Sequence, residues 1–210
     1  MDLGTGTGLS GLVAGCLGAR EVTFSDIGPV LDLTRENIAL NLASLPDPTP
    51  TTTVVEVGLE ESEGRLERSG GIISPTHVTN YSLPLVASLL TTYIPNPFRD
   101  SLRSSQYWWG SKTLPQDAFD VVLVADCILP KLYPMEPLVA AISDLLSPSG
   151  VCYVSYEHRT WFEFDPPTRF HELCSSNSLS VRAVSESELD EVFIGDDIIV
   201  WEVRKIVESK

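Results

Sequence analysis

Three glycines at alternate positions, in Asp2-Leu3-Gly4-Thr5-Gly6-Thr7-Gly8, limit the folds open to this chain more than any other feature. Met1 to Leu3 read as the end of a strand, and Leu9, Leu12, Val13, Cys16 and Leu17 follow at helical spacing up to Gly18. Glycine at a strand exit lets the backbone turn sharply and lets a ligand approach the main chain. A dinucleotide fingerprint, G-x-G-x-x-G, would need its third glycine at position 9, where Leu9 stands. The phosphate-loop lysine followed by Ser or Thr is also absent. What remains is G-x-G-x-G, with an acid two positions before its first glycine.

The next strand narrows the reading. Glu21 to Ser25 has Val22 and Phe24 on one face and ends at Asp26. In open α/β sheets ligands bind at the C-terminal edge of the strands, and a carboxylate there suits the two hydroxyls of a ribose. The alternative for Asp26 is an N-cap of the helix that begins near Pro29. Loop and acid together favour nucleoside binding. The Pro29 helix carries Val30, Leu31, Leu33, Ile38 and Leu42, with Asn37 and Asn41 among its polar residues.

Further along, TTTVVEV (Thr51 to Val57) is a β-branched strand. Val121 to Ala125, inside FDVVLVADCIL, is a continuous apolar run, the pattern of a central strand buried on both faces. A helix is expected from Tyr133 to Leu146, a strand at Val151 to Glu157, a helix at Pro167 to Ser175 and a strand at Leu179 to Val184. The last strand, Asp197 to Lys205, is expected to pair antiparallel with its predecessor. Strands alternating with helices make this an α/β chain with a mostly parallel sheet. Residues 58–106 are dominated by Pro, Gly, Ser and acidic residues, and are expected to be a partly disordered insertion or long loop in a single domain spanning 1–210.

Lys and Arg number 14 against 29 Asp and Glu, a net charge of −15. That charge opposes phosphate backbones and anionic lipid, so neither nucleic acid nor membrane is an expected partner. It would suit a basic protein partner, although many soluble enzymes are simply acidic. No apolar run approaches the roughly 20 residues of a membrane helix, and MDLGTGTG has no signal-peptide character. Cys16, Cys127, Cys152 and Cys174 form no CxxC pair, and His77, His158 and His171 match no ligand spacing, so no metal is expected. Free cysteines point to a reducing, intracellular setting, cytoplasmic with the nucleus as the alternative.

DLGTGTGLSGLVAGCLGA, TFSD and the ENIALNL helix together resemble class I S-adenosylmethionine-dependent methyltransferases, and within them the protein-lysine methyltransferases of the methyltransferase-like 21 type. WWG (Trp108 to Gly110), FDVVLVADCIL, SYEHRT (Ser155 to Thr160) and DEVFIGDDIIVWEVRK (Asp190 to Lys205) follow in the order that family shows. The resemblance covers nearly the whole chain outside 58–106. It implies a Rossmann-like seven-stranded class I methyltransferase sheet with helices on both faces. Since the chain opens inside the first strand, the N-terminal part of that fold is expected to be missing. The ADC, YE-RT and DD-I elements are most similar to a member that methylates valosin-containing protein, which makes an AAA ATPase one candidate partner.

The resemblance also implies roles. Gly4, Thr5 and Gly6 would carry the methionine end of S-adenosylmethionine, Asp26 its ribose and Trp109 its adenine, with the small Ala125 letting the base come close. Asp126, first after the apolar run, would lie near the target lysine. A free lysine has a pKa near 10.4, so only about one in 2,500 is neutral at pH 7. A carboxylate alone would raise that pKa further, so Asp126 is assigned to positioning, with proximity and alignment supplying most of the rate. Outside the resemblance, Trp109 could be a core aromatic, Ala125 plain close packing and Asp126 a helix cap. The family's Asp-x-x-aromatic motif stands here as Asp126-Cys127-Ile128-Leu129, with leucine at the aromatic place. Two other functions stay open: methyl transfer to a small molecule on the same fold, and a cofactor- or protein-binding relative without catalysis.

Overall fold

Side chains alternate between the two faces of a strand, so the register of the central strands fixes what each helix can cover. The computed structural model describes residues 1–41, 51–58, 105–112, 114–129, 134–159, 165–192, 195 and 197–207. All belong to one unit, Met1–Leu59 with Leu102–Lys210; a second unit, Glu60–Ser101, lies outside the described residues. The strands are β1 (Asp2–Leu3), β2 (Glu21–Asp26), β3 (Thr51–Gly58), β4 (Ser105–Trp108), β5 (Phe119–Ala125), β6 (Leu146–Glu157), β7 (Leu179–Ala183) and β8 (Ile198–Lys205). The helices are α1 (Leu9–Cys16), α2 (Gly28–Asn41), α3 (Met135–Leu145) and α4 (Pro166–Ser176).

One sheet runs in the order β4-β3-β2-β1-β5-β6-β8-β7. Strands β1 to β6 pair in parallel, while β8 is antiparallel to both β6 and β7. The seven strands expected from the sequence are all present, and β4 adds an eighth at the edge beside β3. The last strand pairs with its predecessor as expected, and it also slots between β6 and β7. The insertion expected at 58–106 lies mostly outside the described residues; at its ends, Gly58 closes β3 and Ser105 opens β4. Leu42 and Tyr133 also fall outside them.

Asp2 lies opposite Phe24 and Leu123, and Leu3 opposite Val124, so Phe24 and Val124 are on opposite faces. On Phe24's face, Val22, Phe24 and Val54 pack against Leu31 and Ile38 of α2. On the other face, Leu3, Val122, Val124, Cys152 and Val154 form the larger core with Leu138 and Ile142 of α3 and Phe170 of α4. Fully burying one such side chain is worth about 1.5–3 kcal/mol, which anchors the sheet edge where the loops diverge.

The expectation that β5 is buried on both faces does not hold. Val122 and Val124 are buried, whereas Val121 and Tyr153, which lies on β6 opposite Leu123, are exposed. Among the described residues, α1 and α2 cover chiefly the β2–β3 half of that face. The apolar run therefore reports, among the described residues, a strand central to the sheet whose Val121 face α1 covers only in part.

Candidate functional site

The turn after β1 is wound by positive backbone angles, φ 66° at Gly4, 55° at Gly6 and 84° at Gly8, a region where L side chains are disfavoured. Asp2 organises it from beneath. Its Oδ2 accepts from the Thr5 hydroxyl at 2.5 Å and from the Gly11 N–H at 3.0 Å, tying the loop to the first turns of α1. Thr5 also donates its N–H to the Ser25 carbonyl at 3.0 Å. Thr5 is buried, its hydroxyl is committed to Asp2 and its N–H to Ser25, so any ligand contact it offers is through its carbonyl. Burial raises the Asp2 carboxyl above its ordinary value, with the bonds to Thr5 and Gly11 opposing that rise.

Gly4 and Gly6 are glycines for different reasons. A Cβ on Gly4 would overlap Cys127 Sγ and come within 3.8 Å of Trp109 Cζ2. A Cβ on Gly6 would meet no atom within 4 Å. Gly6 therefore borders open space at the loop crest, where a ligand can lie against the main chain.

Asp26 flanks that space. Its Oδ2 accepts from the Gly6 N–H at 2.8 Å and its Oδ1 from the Ile27 N–H at 2.7 Å. Among the described residues these bonds go to the loop and to the strand exit, not to the first turn of α2, so Asp26 is not a helix cap. From α2, Thr34 donates to the Gly6 carbonyl at 2.7 Å and Asn37 to the Thr7 carbonyl at 2.9 Å, clamping the loop from above. Sequence reading does not single out Thr34. Its one signal is a polar stripe, Thr34, Asn37 and Asn41, along one side of α2.

Beyond β5, Ala125 is exposed, and Asp126 follows in the left-handed region at φ 54°, its N–H donated to the Ser155 carbonyl at 3.1 Å. Asp tolerates that backbone better than most residues. The Asp126 carboxylate is exposed and accepts from Arg159 Nη2 at 2.9 Å. The same nitrogen donates to Glu157 at 2.6 Å, an arrangement that sequence reading does not anticipate. Trp109 is only 8% exposed and sits in the larger core with an edge toward Gly4. Cys127 Sγ is wedged against the Leu3 and Ala125 carbonyls, and burial pushes its thiol up to about 12, which leaves it unsuited to act as a nucleophile.

The structure thus brings Gly4, Thr5, Gly6, Asp26 and Trp109 around one loop, with Ala125 and Asp126 at the end of the strand beside β1. A groove of about 1020 Å³ lies elsewhere. It runs between the N-terminal halves of β2 and β5, where β1 has no residue opposite Glu21–Thr23, and its lining includes Gly11, Thr23, Thr53 and Val121. It contains neither Gly6 nor Asp26 nor Asp126. The polar convergence at the strand ends, rather than that groove, marks the candidate site.

A family model described as lysine methyltransferase matches residues 1–56 and 81–173, well over half of the chain. The chain belongs to the lysine methyltransferase family. Solved structures agree on the fold of this family member, at identities that speak to fold alone. A TehB-like S-adenosylmethionine-dependent methyltransferase from Corynebacterium glutamicum is 15% identical, with a TM-score of 0.51 over 97% of this chain and 78% of that one. The glycopeptide N-methyltransferase MtfA, solved with S-adenosylmethionine, is 13% identical, with a TM-score of 0.53 over 97% and 85%. An arsenic(III) S-adenosylmethionine methyltransferase from Chlamydomonas reinhardtii is 15% identical, with a TM-score of 0.52 over 100% and 64%. No curated protein matches this lysine methyltransferase family chain. The fold is that of the class I S-adenosylmethionine-dependent methyltransferases. The open crest over Gly6, bordered by the Asp26 carboxylate, fits the nucleoside cofactor of that fold.

Proposed function

We propose that this protein transfers a methyl group from S-adenosylmethionine to the side-chain amine of a lysine in a protein substrate. The observation that carries the proposal is the convergence, at the ends of the adjacent strands β2, β1 and β5, of a crest open above Gly6, the Asp26 carboxylate and the exposed Asp126 carboxylate, in a chain of the lysine methyltransferase family. When bound, S-adenosylmethionine supplies an electrophilic methyl group on a sulfonium and is left as S-adenosylhomocysteine.

The chain's own residues do the rest. Gly4, Thr5 and Gly6 offer main-chain carbonyl lone pairs to the ammonium of the methionine end, in a loop held in shape by Asp2 below and Thr34 above. Asp26, already fixed by the Gly6 and Ile27 N–H groups, has lone pairs left for ribose hydroxyls. Trp109 backs the loop, and Ala125 leaves room for the adenine. Asp126 attracts and orients the arriving lysine cation. Transfer needs the neutral amine, and desolvation beside the sulfonium's positive charge favours it, so the carboxylate acts by placement and not as a base. A protein bearing an accessible lysine, with an AAA ATPase as one candidate, is the acceptor, and the free cysteines suit a reducing, cytoplasmic setting. Among the described residues no helix is long and apolar enough to cross a membrane.

Incubation of the purified chain with methyl-tritiated S-adenosylmethionine and cell lysate tests this reading, with the lysate split into proteins and small molecules. Label is expected in the protein fraction and to fall sharply with Asp126→Asn. Label confined to the small-molecule fraction would overturn it.

A further inference from the structure

Two carboxylates at the site mouth come from adjacent strand ends. Glu157 is the last residue of β6, Asp126 directly follows β5, and the Asp126 N–H is bonded to the Ser155 carbonyl between them. A single guanidinium nitrogen, Arg159 Nη2, serves both, at 2.9 Å from Asp126 and 2.6 Å from Glu157. The chain carrying Arg159 is itself held, since the His158 N–H donates to the Asp197 carbonyl at 2.6 Å at the start of β8. Both carboxylates are half exposed, and Arg159 is about one-third exposed at 34%. The pairing is therefore open to water and within reach of a competing cation.

The geometry points to Arg159 as a positioning residue that occupies, in the absence of acceptor, the place beside Asp126 that the substrate lysine's ammonium must take. This inference rests on the lysine reading above. Arg159 keeps Asp126 aligned at its left-handed backbone position, and it sets a threshold. Only an amine delivered with enough surrounding contacts displaces a guanidinium that Glu157 can then receive on its own. Glu157 is in this sense the sink for Arg159; the two carboxylates favour an amine-bearing acceptor over a neutral one, and Arg159 tempers that preference.

Two adenosyl analogues with nitrogen in place of the sulfonium sulfur test this without a protein substrate. One carries an aminopropyl arm where the methyl group would be, the other a propyl arm, and calorimetry gives the ratio of their affinities. Arg159→Met is expected to raise the preference for the amine arm by about two- to fivefold, the scale of an exposed ion pair. Arg159→Lys is expected to stay near wild type. Glu157→Gln is expected to lower the preference, because the guanidinium then rests on Asp126 alone. A purely structural Arg159 would not move the ratio in opposite directions in the two variants. S-adenosylhomocysteine affinity confirms that each variant is folded, and Glu157→Gln decides if Arg159→Met is not. An unchanged or reduced amine preference in Arg159→Met, or an unchanged ratio in Glu157→Gln, overturns the assignment. If wild type makes methyl-lysine while the ratio stays fixed, Arg159 loses its role and the lysine reading stands. If wild type binds both arms alike and makes no methyl-lysine, the lysine reading fails and takes this inference with it.

Discussion

Gly4→Ala is the most informative single change, because two separate penalties meet there. The backbone stands at φ 66°, where an L side chain costs roughly 1–2 kcal/mol. The new methyl would also overlap Cys127 Sγ, which cannot swing aside cheaply, because it is 3% exposed and lodged against two carbonyls. Overpacking of that kind costs about 1–3 kcal/mol. Together the penalties come to about 2–5 kcal/mol, or a melting temperature lower by roughly 4–20 °C for a domain of this size. Urea denaturation measures the loss, and a double variant apportions it. Cys127→Ala combined with Gly4→Ala makes room for the new methyl, so it should recover the overpacking share and leave the backbone share. S-adenosylmethionine affinity should fall in both, since the loop conformation is strained in both. A Gly4→Ala protein as stable as wild type would refute the packing account. Full recovery in the double variant would refute the backbone share.

Asp26→Ala should weaken S-adenosylmethionine binding by roughly 1.5–3 kcal/mol, the range for hydrogen bonds to a charged group; unchanged affinity by calorimetry in a folded protein would remove Asp26 from the site. Asp2 is a carboxyl raised by burial, so its contribution to stability is fully present below its ordinary value of 3.8 and is lost as pH rises through the raised value. Asp2→Asn should remove that slope, so the stability difference between wild type and variant shifts toward the variant on going from about pH 3 to 7; a difference independent of pH in urea titrations would show that burial does not perturb the group. Leu129, partly buried just past Asp126, stands where the resembled family has an aromatic ring. Leu129→Tyr should raise the methylation rate, by supplying a π face for the lysine cation, with little change in cofactor affinity; an equal or lower rate would deny Leu129 a place in the acceptor channel.

The parts of the site that are legible in the sequence are those fixed by local chemistry. Gly4 and Gly6 announce themselves because alternate glycines at a strand exit mark a tight turn, and Asp26 because a strand ends at it. Asp126 is legible because an apolar run stops there. Contacts made across the fold are not. Thr34 reaches Gly6 only because α2 lies over the loop, and helical spacing alone does not say which turn meets which neighbour. Arg159 is visible as part of SYEHRT, but its pairing with Asp126 depends on β5 and β6 being adjacent. The strand β4 escapes because four residues at the end of a Ser- and Pro-rich stretch carry too little alternation to read. Val121 misleads because a continuous apolar run signals a central strand and cannot report which face a helix covers.

The claim of lysine methylation is tested most directly by the chemical identity of the product. Trideuteromethyl S-adenosylmethionine, the purified chain and a lysate depleted of endogenous cofactor would be combined, and the proteins hydrolysed in acid and analysed by mass spectrometry. Trideuterated methyl-lysine, strongly reduced when Asp26→Ala replaces wild type at low cofactor concentration, is the predicted result. Deuterium in another methylated amino acid, or none in protein from a chain that binds the cofactor in calorimetry, would contradict the account.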